Sequence, residues 1–419
     1  MASTHKYRSL RGMPDTLAEE ASVIYWLESK AREVFRLFGY GEIRTPILEE
    51  TEVFTRSIGE DTDIVEKEMY SFTDRGGKNI SLRPEGTAPI IRAYIEHGWH
   101  SKEDLTKLFY TGAMFRGERP QKGRLRQFHQ IGAEIIGGSD PYIDAELILG
   151  LDTLLKSLKV DGFTILLNSL GCASDRENYK EELASYLKKK SSALCDNCKR
   201  RKETNVLRVL DCKREGCKAV VKGAPEIQSY LCKGCCEYYD GVKSILKKMG
   251  ITFREKGDLV RGLDYYTGTI FEVIHPQLGA QDAIAAGGRY DELTKDMGGP
   301  SVGATGYAIG IERLLLAVDK KDIPREGPLT LVIPVGAGAR AESFKAADTL
   351  RRLGVPCEMD YSGRSLKGGM RKAHKEGRKF IVILGEDEIK SGKLSVKDME
   401  TGEEKALSPE EAASYIKGT

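Results

Sequence analysis

A short basic segment is the clearest candidate for binding a nucleotide. Residues 115–130, FRGERPQKGRLRQFHQ, read as a strand, a polar loop and a second strand. Arg116 would present a planar, permanently charged fork to phosphate oxygens. Phe128 would offer a flat face to a purine, and Glu118 could accept from its exocyclic amine. The pattern predicts a nucleotide clamp, although an exposed basic hairpin would have the same composition.

Four other segments carry polar groups in patterns that suit a ligand pocket. They are LRPEGTAPIIR (82–92), RGLDYYTG (261–268), AAGGRYDEL (285–293) and GYAIGIERLLL (306–316). The first has a predicted helix start at Thr87, which a capped helix beside an ion pair explains nearly as well. The last places Glu312 and Arg313 at a helix start, which close strand–helix packing also explains. The two middle segments join glycine to arginine, aspartate and tyrosine, which suits a polar pocket or a tyrosine-rich core.

The cysteines are concentrated in one region, because seven of the nine lie between positions 195 and 236. Without a secretory signal, such clustering favours metal binding over disulfides. Two C-x-x-C pairs in the region have the ligand spacing of a structural tetrahedral Zn²⁺ site. The four predicted ligands are Cys195, Cys198, Cys232 and Cys235. Cys212 and Cys217 could replace one pair, and free thiols are the alternative to a metal.

The elements expected in the first 170 residues form an antiparallel sheet with helices packed on it. Asp15 is the predicted N-cap of an amphipathic helix that ends near Gly39. Short apolar or alternating runs predict strands at 42–48, 78–83, 108–116, 126–137 and 163–170. The runs at 108–116 and 126–137 are separated by less than the roughly dozen residues of a parallel crossover, which favours antiparallel pairing.

Composition divides the chain into segments. The predicted parts are 1–170 and 256–320 for a core domain, 171–255 for an inserted subdomain with the cysteine cluster and little apolar periodicity, and 328–419 for a C-terminal domain. A charged, proline-containing stretch at 319–328 suits a linker. After it, strands and helices alternate, which predicts a small α/β domain with a mostly parallel or mixed sheet. The fold class is therefore α/β, with an α+β core.

Global composition restricts the class of protein. The chain has 419 residues, 40% of them apolar and 31% charged, with a mean hydropathy of −0.38, values that describe two or three globular domains. We find no apolar stretch long enough to span a membrane and no secretory signal at the N-terminus. We therefore expect a cytoplasmic protein with no membrane partner. A net charge of +2 excludes a polycationic nucleic-acid binder but allows local basic surfaces.

In combination, these segments resemble the class II aminoacyl-tRNA synthetases, and among them the bacterial-type histidyl-tRNA synthetases, over nearly the whole chain. EIRTPILEE (42–50), with Pro46, is similar to the family's first motif, which lies at a dimer interface. FRGERPQKGRLRQF and GYAIGIER resemble the second and third motifs, while LRPEGT, RGLDYY and AGGRYD resemble marks of the histidine-specific branch. HGWH at 97–100 only superficially resembles the class I HIGH sequence, and KMSKS, P-loop and GxGxxG sequences do not occur.

The resemblance implies a two-step reaction with ATP and Mg²⁺. The carboxylate of L-histidine would attack the α-phosphate of ATP, and the adenylate would pass its histidyl group to the 3′-terminal adenosine of tRNA(His). Such chemistry depends on positioning and on cations rather than on a protein nucleophile. The implied catalytic residues are Arg261, which would meet the histidine carboxylate and the α-phosphate together, and Arg116, which would hold the α-phosphate.

The family motifs also imply the binding residues. ATP would be bound by Arg116, Glu118, Phe128 and Arg313. Histidine would be bound by Glu85, Thr87, Gln130, Glu134, Arg261, Tyr265, Tyr266 and Tyr290. Of these, Glu134 and Tyr266 would read the imidazole, because a carboxylate and a phenol can satisfy both ring nitrogens. Gln121 and Arg124 would contact the acceptor end of the tRNA.

The resemblance further implies a homodimer and an anticodon-binding C-terminal domain. There, residues 364–379 carry seven basic residues against one acidic residue, although such a face is often only solvated surface. A synthetase-like regulatory subunit of ATP phosphoribosyltransferase is the alternative from another class. It is disfavoured because such proteins typically lack the anticodon domain and intact ATP motifs. Another class II synthetase is opposed by RGLDYY and LRPEGT.

Overall fold

The computed structural model describes residues 7–59, 62–279, 282–323, 329–336 and 338–418. The chain divides into two units, Met1–Pro324 and Arg325–Thr419. Of the helices in these described ranges, none combines the length and the hydropathy needed to cross a bilayer.

The first unit contains helices and strands in mixed order. Its helices are α1 (Ala18–Leu37), α2 (Thr51–Ile58), α3 (Thr87–Glu96), α4 (Pro141–Ser157), α5 (Ala173–Lys189), α6 (Asp196–Thr204), α7 (Glu215–Val221), α8 (Lys233–Lys248), α9 (Leu293–Asp296) and α10 (Ile311–Ala317). Its strands are β1 (Gly41–Glu42), β2 (Leu48–Glu50), β3 (Ser71–Thr73), β4 (Asn79–Leu82), β5 (Thr106–Phe115), β6 (Gln127–Ile136), β7 (Thr164–Ser169), β8 (Phe253–Glu255), β9 (Thr267–Ile274), β10 (Ala283–Arg289) and β11 (Ala304–Gly310). A 3-10 turn at Val206–Val209 lies between α6 and α7.

The central sheet has eight strands in the order β1-β5-β6-β11-β10-β9-β7-β8, and a small sheet has the order β2-β4-β3. The pairs from β5 to β7 are antiparallel, which confirms the antiparallel core expected from the sequence. The two outer pairs, β1 with β5 and β7 with β8, are parallel and were not expected. A parallel pair requires a long crossover. The helices between β7 and β8 provide it for one pair, and the small sheet with α3 provides it for the other.

Opposite faces of the central sheet have different characters. Residues directly opposite one another on adjacent strands share a face. Gly132, Ala286, Gly288, Gly306 and Ala308, which we call the sheet floor, share one face with Tyr110, Glu134 and Glu272. The other face presents Ile131, Ala133, Ile135 and Ile309 to the apolar residues of α4. One face of the sheet is therefore packed, and the other has room for polar groups.

The first helix and the inserted segment differ in detail from expectation. Asp15 is not the N-cap of α1, because the helix begins at Ala18 after Leu17, without a side-chain cap. The segment 171–255 has more apolar periodicity than we expected. Its helix α8 buries Tyr239, Val242 and Leu246 in the cluster that α4 occupies. These residues follow helical spacing, and the lysines between them obscure the pattern.

The second unit is a small α/β structure. Its elements are β12 (Thr330–Pro334), α11 (Ala339–Arg352), β13 (Cys357–Met359), α12 (Leu366–Lys375), β14 (Phe380–Leu384), α13 (Glu386–Ser391), β15 (Leu394–Asp398), β16 (Glu404–Leu407) and α14 (Pro409–Gly418). The sheet order is β13-β12-β14-β15-β16. The first three strands are parallel and the last two pairs antiparallel, so the expected mixed sheet is confirmed.

Candidate active site

Glu134 lies at the centre of a buried polar pocket over the sheet floor. Its side chain stands on β6 and is 0% exposed. One carboxylate oxygen accepts a hydrogen bond from Thr87 Oγ1 at 2.8 Å, and the other accepts from the Tyr290 hydroxyl. Burial raises the pKa of Glu134 to about 8, although both hydrogen bonds oppose the shift. The raised pKa favours the protonated carboxyl group in the unliganded chain, and a cationic ligand would favour its ionised form.

Glycines make room for the buried side chains. Gly306 faces Glu134 across the β6–β11 pair, where an added Cβ would lie 1.5 Å from a carboxylate oxygen. Gly86 and Gly132 similarly border the ring of Tyr110, whose atoms would lie 2.3 Å from a Cβ at either position. Larger residues at these positions would displace the side chains that form the pocket.

Glu85 fixes the start of α3. Its two carboxylate oxygens accept the backbone N–H groups of Thr87 and Ala88, each at 2.8 Å. The side chain is buried, and burial raises the pKa of Glu85. This is the helix-capping interaction that the sequence left open as an alternative. The capping also brings Thr87 into hydrogen-bonding distance of Glu134, so the helix start is part of the pocket.

Three tyrosines form one wall. The ring centroid of Tyr265 lies 4.7 Å from that of Tyr266 and 5.5 Å from that of Tyr290. Burial raises the pKa of Tyr266 to about 12, so its phenol remains a neutral donor. Gln130 Oε1 and the Tyr110 hydroxyl are buried without a hydrogen-bond partner among the described residues. A bound polar ligand could satisfy both groups.

Arg261 has a guanidinium group that is only partly paired within the described chain. Its Nη1 lies 3.0 Å from the carboxylate of Glu272, a residue on the same face as the sheet floor. Its Nε is buried and has no hydrogen-bond partner among the described groups. Arg208 donates a hydrogen bond of 3.3 Å to the backbone carbonyl of Arg261, so it contacts the loop that contains Arg261. The arrangement leaves donor capacity for an anion.

The basic hairpin forms two contacts between its own predicted ligands. Arg116 Nε donates to the Pro84 carbonyl at 2.9 Å, and its guanidinium lies 5.2 Å from the centroid of the Phe128 ring. Glu118 forms a 2.6 Å ion pair with Arg124. An adenine bound by Phe128 and Glu118 would compete with both contacts. The sequence placed these residues in one predicted hairpin, but it did not indicate which of them contact each other.

The tip of the hairpin contacts α10. Gln121 and Arg124 exchange backbone hydrogen bonds of 3.0 and 2.9 Å around Gly123, whose φ is +70°. Arg313 Nε donates to the Gly123 carbonyl at 3.2 Å and its Nη1 to the Ala283 carbonyl at 3.1 Å. Burial lowers the pKa of Arg313, and the neighbouring arginines act in the same direction. Arg313 thus lies beside the hairpin that carries Arg116.

Two interactions near the site were missed from the sequence. Glu312 accepts from the backbone N–H of His129 at 2.9 Å and lies 3.0 Å from its Nδ1, and this contact raises the pKa of His129. Arg83 is buried and donates to the carbonyls of Ala113 and Thr45, each at 2.9 Å. Both polar residues were visible in their motifs. Their partners are remote in sequence, so spacing could not identify them.

The predicted grouping of the cysteines is wrong. Cys195 and Cys198 lie with Cys212 and Cys217, not with Cys232 and Cys235. The latter two lie with Cys172 and Asp175, because α8 begins beside the start of α5. Local C-x-x-C spacing identified each pair correctly but could not show which pairs meet. The alternative in which Cys212 and Cys217 replace one pair agrees with the geometry.

Comparison with known proteins identifies the family. The family model for histidyl-tRNA synthetase matches residues 12–314, and the model for the anticodon-binding domain matches residues 330–419. Histidine–tRNA ligase of Halothermothrix orenii is 48% identical over 94% of this chain and 95% of its own length. That of Geobacter metallireducens is 46% identical over 97% and 99%.

The chain belongs to the histidyl-tRNA synthetases. Apo histidyl-tRNA synthetase of Staphylococcus aureus has the same fold, with a TM-score of 0.80 at 33% identity, over 98% of this chain and 100% of that one. A Bacillus halodurans protein described as an ATP phosphoribosyltransferase regulatory subunit or histidyl-tRNA synthetase gives a TM-score of 0.66 at 22% identity, which shows only a shared fold. The resemblance stated from the motifs is confirmed, and the comparisons do not support the regulatory alternative.

The second unit contains the anticodon-binding family match. Helix α12 in it has a basic exposed face, formed by Lys367, Arg371 and Lys375, while Gly369 and Ala373 are buried against the sheet. Alternation of exposed and buried positions on one helix separates the charged face from the packed face. The basic face of α12 is therefore exposed and could meet an anionic partner.

Proposed function

We propose that the pocket around Glu134 binds L-histidine and activates it with ATP for transfer to tRNA(His), the reaction of the family. The observation that carries this proposal is the buried Glu134 carboxyl group beside Thr87, Tyr290 and the Tyr265–Tyr266 pair. Glu134 and Tyr266 would pair with the two imidazole nitrogens. A side chain without these nitrogens would leave buried polar groups unpaired, at a cost of about 1 to 3 kcal/mol for each group.

The amino group of histidine fits the opposite side of the pocket. Glu85, Thr87 and Gln130 would receive it, and the free Oε1 of Gln130 supports this assignment. Each Glu85 oxygen already accepts one backbone hydrogen bond but has capacity for another. Tyr290 would close the pocket from the third side. The ammonium charge would also favour ionisation of the two buried carboxyl groups.

Arg261 and Arg116 would act together in adenylate formation. Arg261 would bring the histidine carboxylate to the α-phosphate and neutralise both anions as they approach, because its guanidinium has an unpartnered Nε. Arg116 would hold the α-phosphate, and Arg313 the γ-phosphate. Phe128 and Glu118 would hold the adenine once Arg116 and Arg124 move to bind their ligands.

Mg²⁺ bound together with ATP would supply positive charge to the triphosphate. Mg²⁺ prefers oxygen ligands, and most of these would come from the phosphates and water. Glu272 could supply one of these oxygen ligands to Mg²⁺, because its carboxylate lies beside Arg261 on the same face as the sheet floor. We assign one ligand oxygen to it.

The tRNA would contact both units. Gln121 and Arg124, at the hairpin tip, would meet the acceptor end, while the basic face of α12 would meet the anticodon arm. We keep the assignment of 1–170 and 256–320 to the catalytic domain, 171–255 to the insertion and 328–419 to the anticodon-binding domain. Cytoplasmic location agrees with these partners, because ATP, histidine and tRNA are used there.

A homodimer is supported by an exposed apolar face. On the β2-β4-β3 sheet, Leu48 is 42% and Phe72 is 50% exposed, and their cross-strand partners Leu82 and Ile80 are half-buried. Contiguous apolar area of this kind commonly marks an interface. It includes the segment that resembles the family's dimer motif, so a second copy of the chain is the proposed occupant.

ATP–pyrophosphate exchange with each of the 20 standard amino acids tests the proposed function, followed by transfer to total tRNA. We expect ATP–pyrophosphate exchange with histidine alone, followed by transfer of histidine to tRNA. Histidine binding without exchange would support the regulatory alternative. Exchange with a different amino acid would contradict the pocket assignment.

A further inference from the structure

We propose that Cys195, Cys198, Cys212 and Cys217 bind a structural Zn²⁺ ion that also fixes the position of the Arg261 segment. The first half of the proposal concerns metal binding alone. The second half rests on the proposed role of Arg261 in histidine activation.

The four sulfur atoms already have the spacing of a tetrahedral thiolate site. All lie within 4.8 Å of one another, and the Sγ atoms of Cys195 and Cys212 are 3.9 Å apart. Zn–S bonds of about 2.3 Å in a tetrahedron place two sulfurs about 3.8 Å apart. A disulfide requires about 2.05 Å, and all of these cysteines are free.

The surroundings also suit a metal thiolate centre. Cys198 is 0% and Cys217 is 1% exposed, so the group is largely shielded from water. The backbone N–H of Cys195 donates to Cys217 Sγ at 3.3 Å, which would stabilise a thiolate. Between positions 195 and 218 the sequence has eight basic residues against four acidic ones. Four thiolates around Zn²⁺ carry a net charge of −2, which this excess would offset.

The segment enclosed by the two cysteine pairs contacts the Arg261 region. Asn205 Nδ2 donates to Asp264, three residues after Arg261, at 2.7 Å. Arg201 also forms a 2.6 Å ion pair with Asp63, which ties the same segment to the residues after α2. Arg208 donates to the Arg261 carbonyl. The enclosed part is short, with only α6 and one 3-10 turn between the pairs. A metal that joins both ends would therefore restrict these contacts to one geometry.

The second group provides a matched control. In it, the two carboxylate oxygens of Asp175 already accept the backbone N–H groups of Cys232 and Cys172, at 3.1 and 3.3 Å. Capping of α5 and α8 explains this arrangement without an ion. Cys235→Ser changes a cysteine in the same segment without touching the proposed ligands.

Elemental analysis of the full chain, purified without chelators, tests metal binding. We expect equimolar zinc in the wild type and in Cys235→Ser, and its loss in Cys195→Ser and Cys217→Ser. Cobalt substituted for zinc should show thiolate-to-metal charge-transfer absorption in the wild type. Absence of zinc from the wild type, its retention in Cys195→Ser, or its loss only in Cys235→Ser would overturn the site.

The link to Arg261 is tested by ATP–pyrophosphate exchange at saturating ATP. Cys217→Ser should raise the KM for histidine or lower kcat, by roughly tenfold or more in kcat/KM, because small displacements of a catalytic group are costly. Arg208→Gln should lower kcat/KM in the same way while it retains zinc, and it serves if the cysteine variants fail to fold. Normal exchange in zinc-free protein or in Arg208→Gln would overturn the link but not the metal site. Exchange that is absent in the zinc-loaded wild type would instead refute the proposed function.

Discussion

Arg289 Nη1 lies 2.7 Å from Asp144 Oδ1, and both side chains are only 2% exposed. The pair joins β10 to α4, and the same guanidinium donates to the Tyr238 hydroxyl of α8 and to the Gly138 carbonyl. Three elements of the first unit, including the last helix of the inserted segment, are thereby held by one buried cation. Arg289 belongs to the AGGRYD motif, and its neighbour Tyr290 reaches Glu134. The same strand end therefore supports the fold and the pocket.

Arg289→Met should destabilise the first unit by about 3 kcal/mol or more, because it leaves a buried carboxylate without its partner. Chemical denaturation monitored by fluorescence measures the free energy of unfolding. Arg56→Ala is the control, since the Arg56–Glu52 pair is largely exposed, and it should have little effect. Equal losses in the two variants would contradict the special importance of the buried pair.

Arg261→Ala should abolish adenylate formation and leave the fold intact. The side chain would neutralise two anions in the transition state, and no other described group is assigned that role. ATP–pyrophosphate exchange measures the effect, and circular dichroism checks the fold. Near-normal exchange would refute the proposed mechanism. Glu272→Gln, which removes the partner's charge but retains Arg261, should be less severe.

Glu134 should make stability depend on pH. Its folded pKa of about 8 lies above the ordinary value of 4.5, so its contribution is fully present below about pH 4.5 and is lost as the pH rises through 8. Between these two pH values, the free energy of unfolding should fall by at most about 1.4 kcal/mol for each pH unit. The thermal midpoint of Glu134→Gln relative to wild type should therefore increase between pH 5 and pH 8.5. A constant difference across this range would contradict a raised pKa.

Charge reversal on α12 should separate activation from aminoacylation. Replacement of Lys367, Arg371 and Lys375 by Glu should preserve histidine-dependent pyrophosphate exchange and weaken tRNA charging, since the basic face would contact phosphates. The defect should appear mainly in the KM for tRNA and should shrink as salt rises, because salt weakens the phosphate contacts that only the wild type makes. Lys345→Glu on α11 is the control for charge alone. Truncation after residue 327 should give the same separation. Unchanged charging in the triple variant and the truncation would refute the tRNA assignment.

Phe72→Asp should convert a dimer to monomers, because it places a charge in the exposed apolar face of the small sheet. Sedimentation velocity measures the mass. Tyr142→Asp changes an aromatic residue elsewhere in the first unit that is 65% exposed, against 50% for Phe72, and should leave the mass unchanged. A monomeric wild type, or a dimeric Phe72→Asp variant, would contradict the proposed interface.

Local patterns predicted the antiparallel centre of the core sheet and the C-terminal α/β unit, but not the parallel outer pairs of the core sheet. The run expected as one strand at 42–48 instead contains only the ends of β1 and β2. Alternation and short connections indicated antiparallel strands at β5 and β6, and the change to strand–helix alternation indicated the second unit. Pairing over long separations could not be read from the sequence. His129 and Glu312 are 183 positions apart, and nothing in either motif specifies the other. The same limit explains the cysteines, because each C-x-x-C pair was visible while the choice of partner depended on how the helices pack.

The motif resemblance named the proposed site residues but gave few of the contacts between them. Thr87, Glu134 and Tyr290 do meet in one pocket, which the motif resemblance had suggested. The capping role of Glu85 was a stated alternative, and the pairing of Glu118 with Arg124 was not foreseen. Ion pairs among basic and acidic residues of one loop depend on side-chain conformations, which composition does not determine.

The sheet floor has a consequence for inhibitor resistance. A compound that occupies the proposed histidine pocket would rest partly on the floor glycines. An added Cβ would meet Tyr110 at Gly132, Glu134 at Gly306 and, at Gly288, the Thr269 carbonyl oxygen at 2.5 Å. Substitutions there would damage the enzyme together with the drug site. Compounds that draw their affinity from the floor should therefore select resistance slowly.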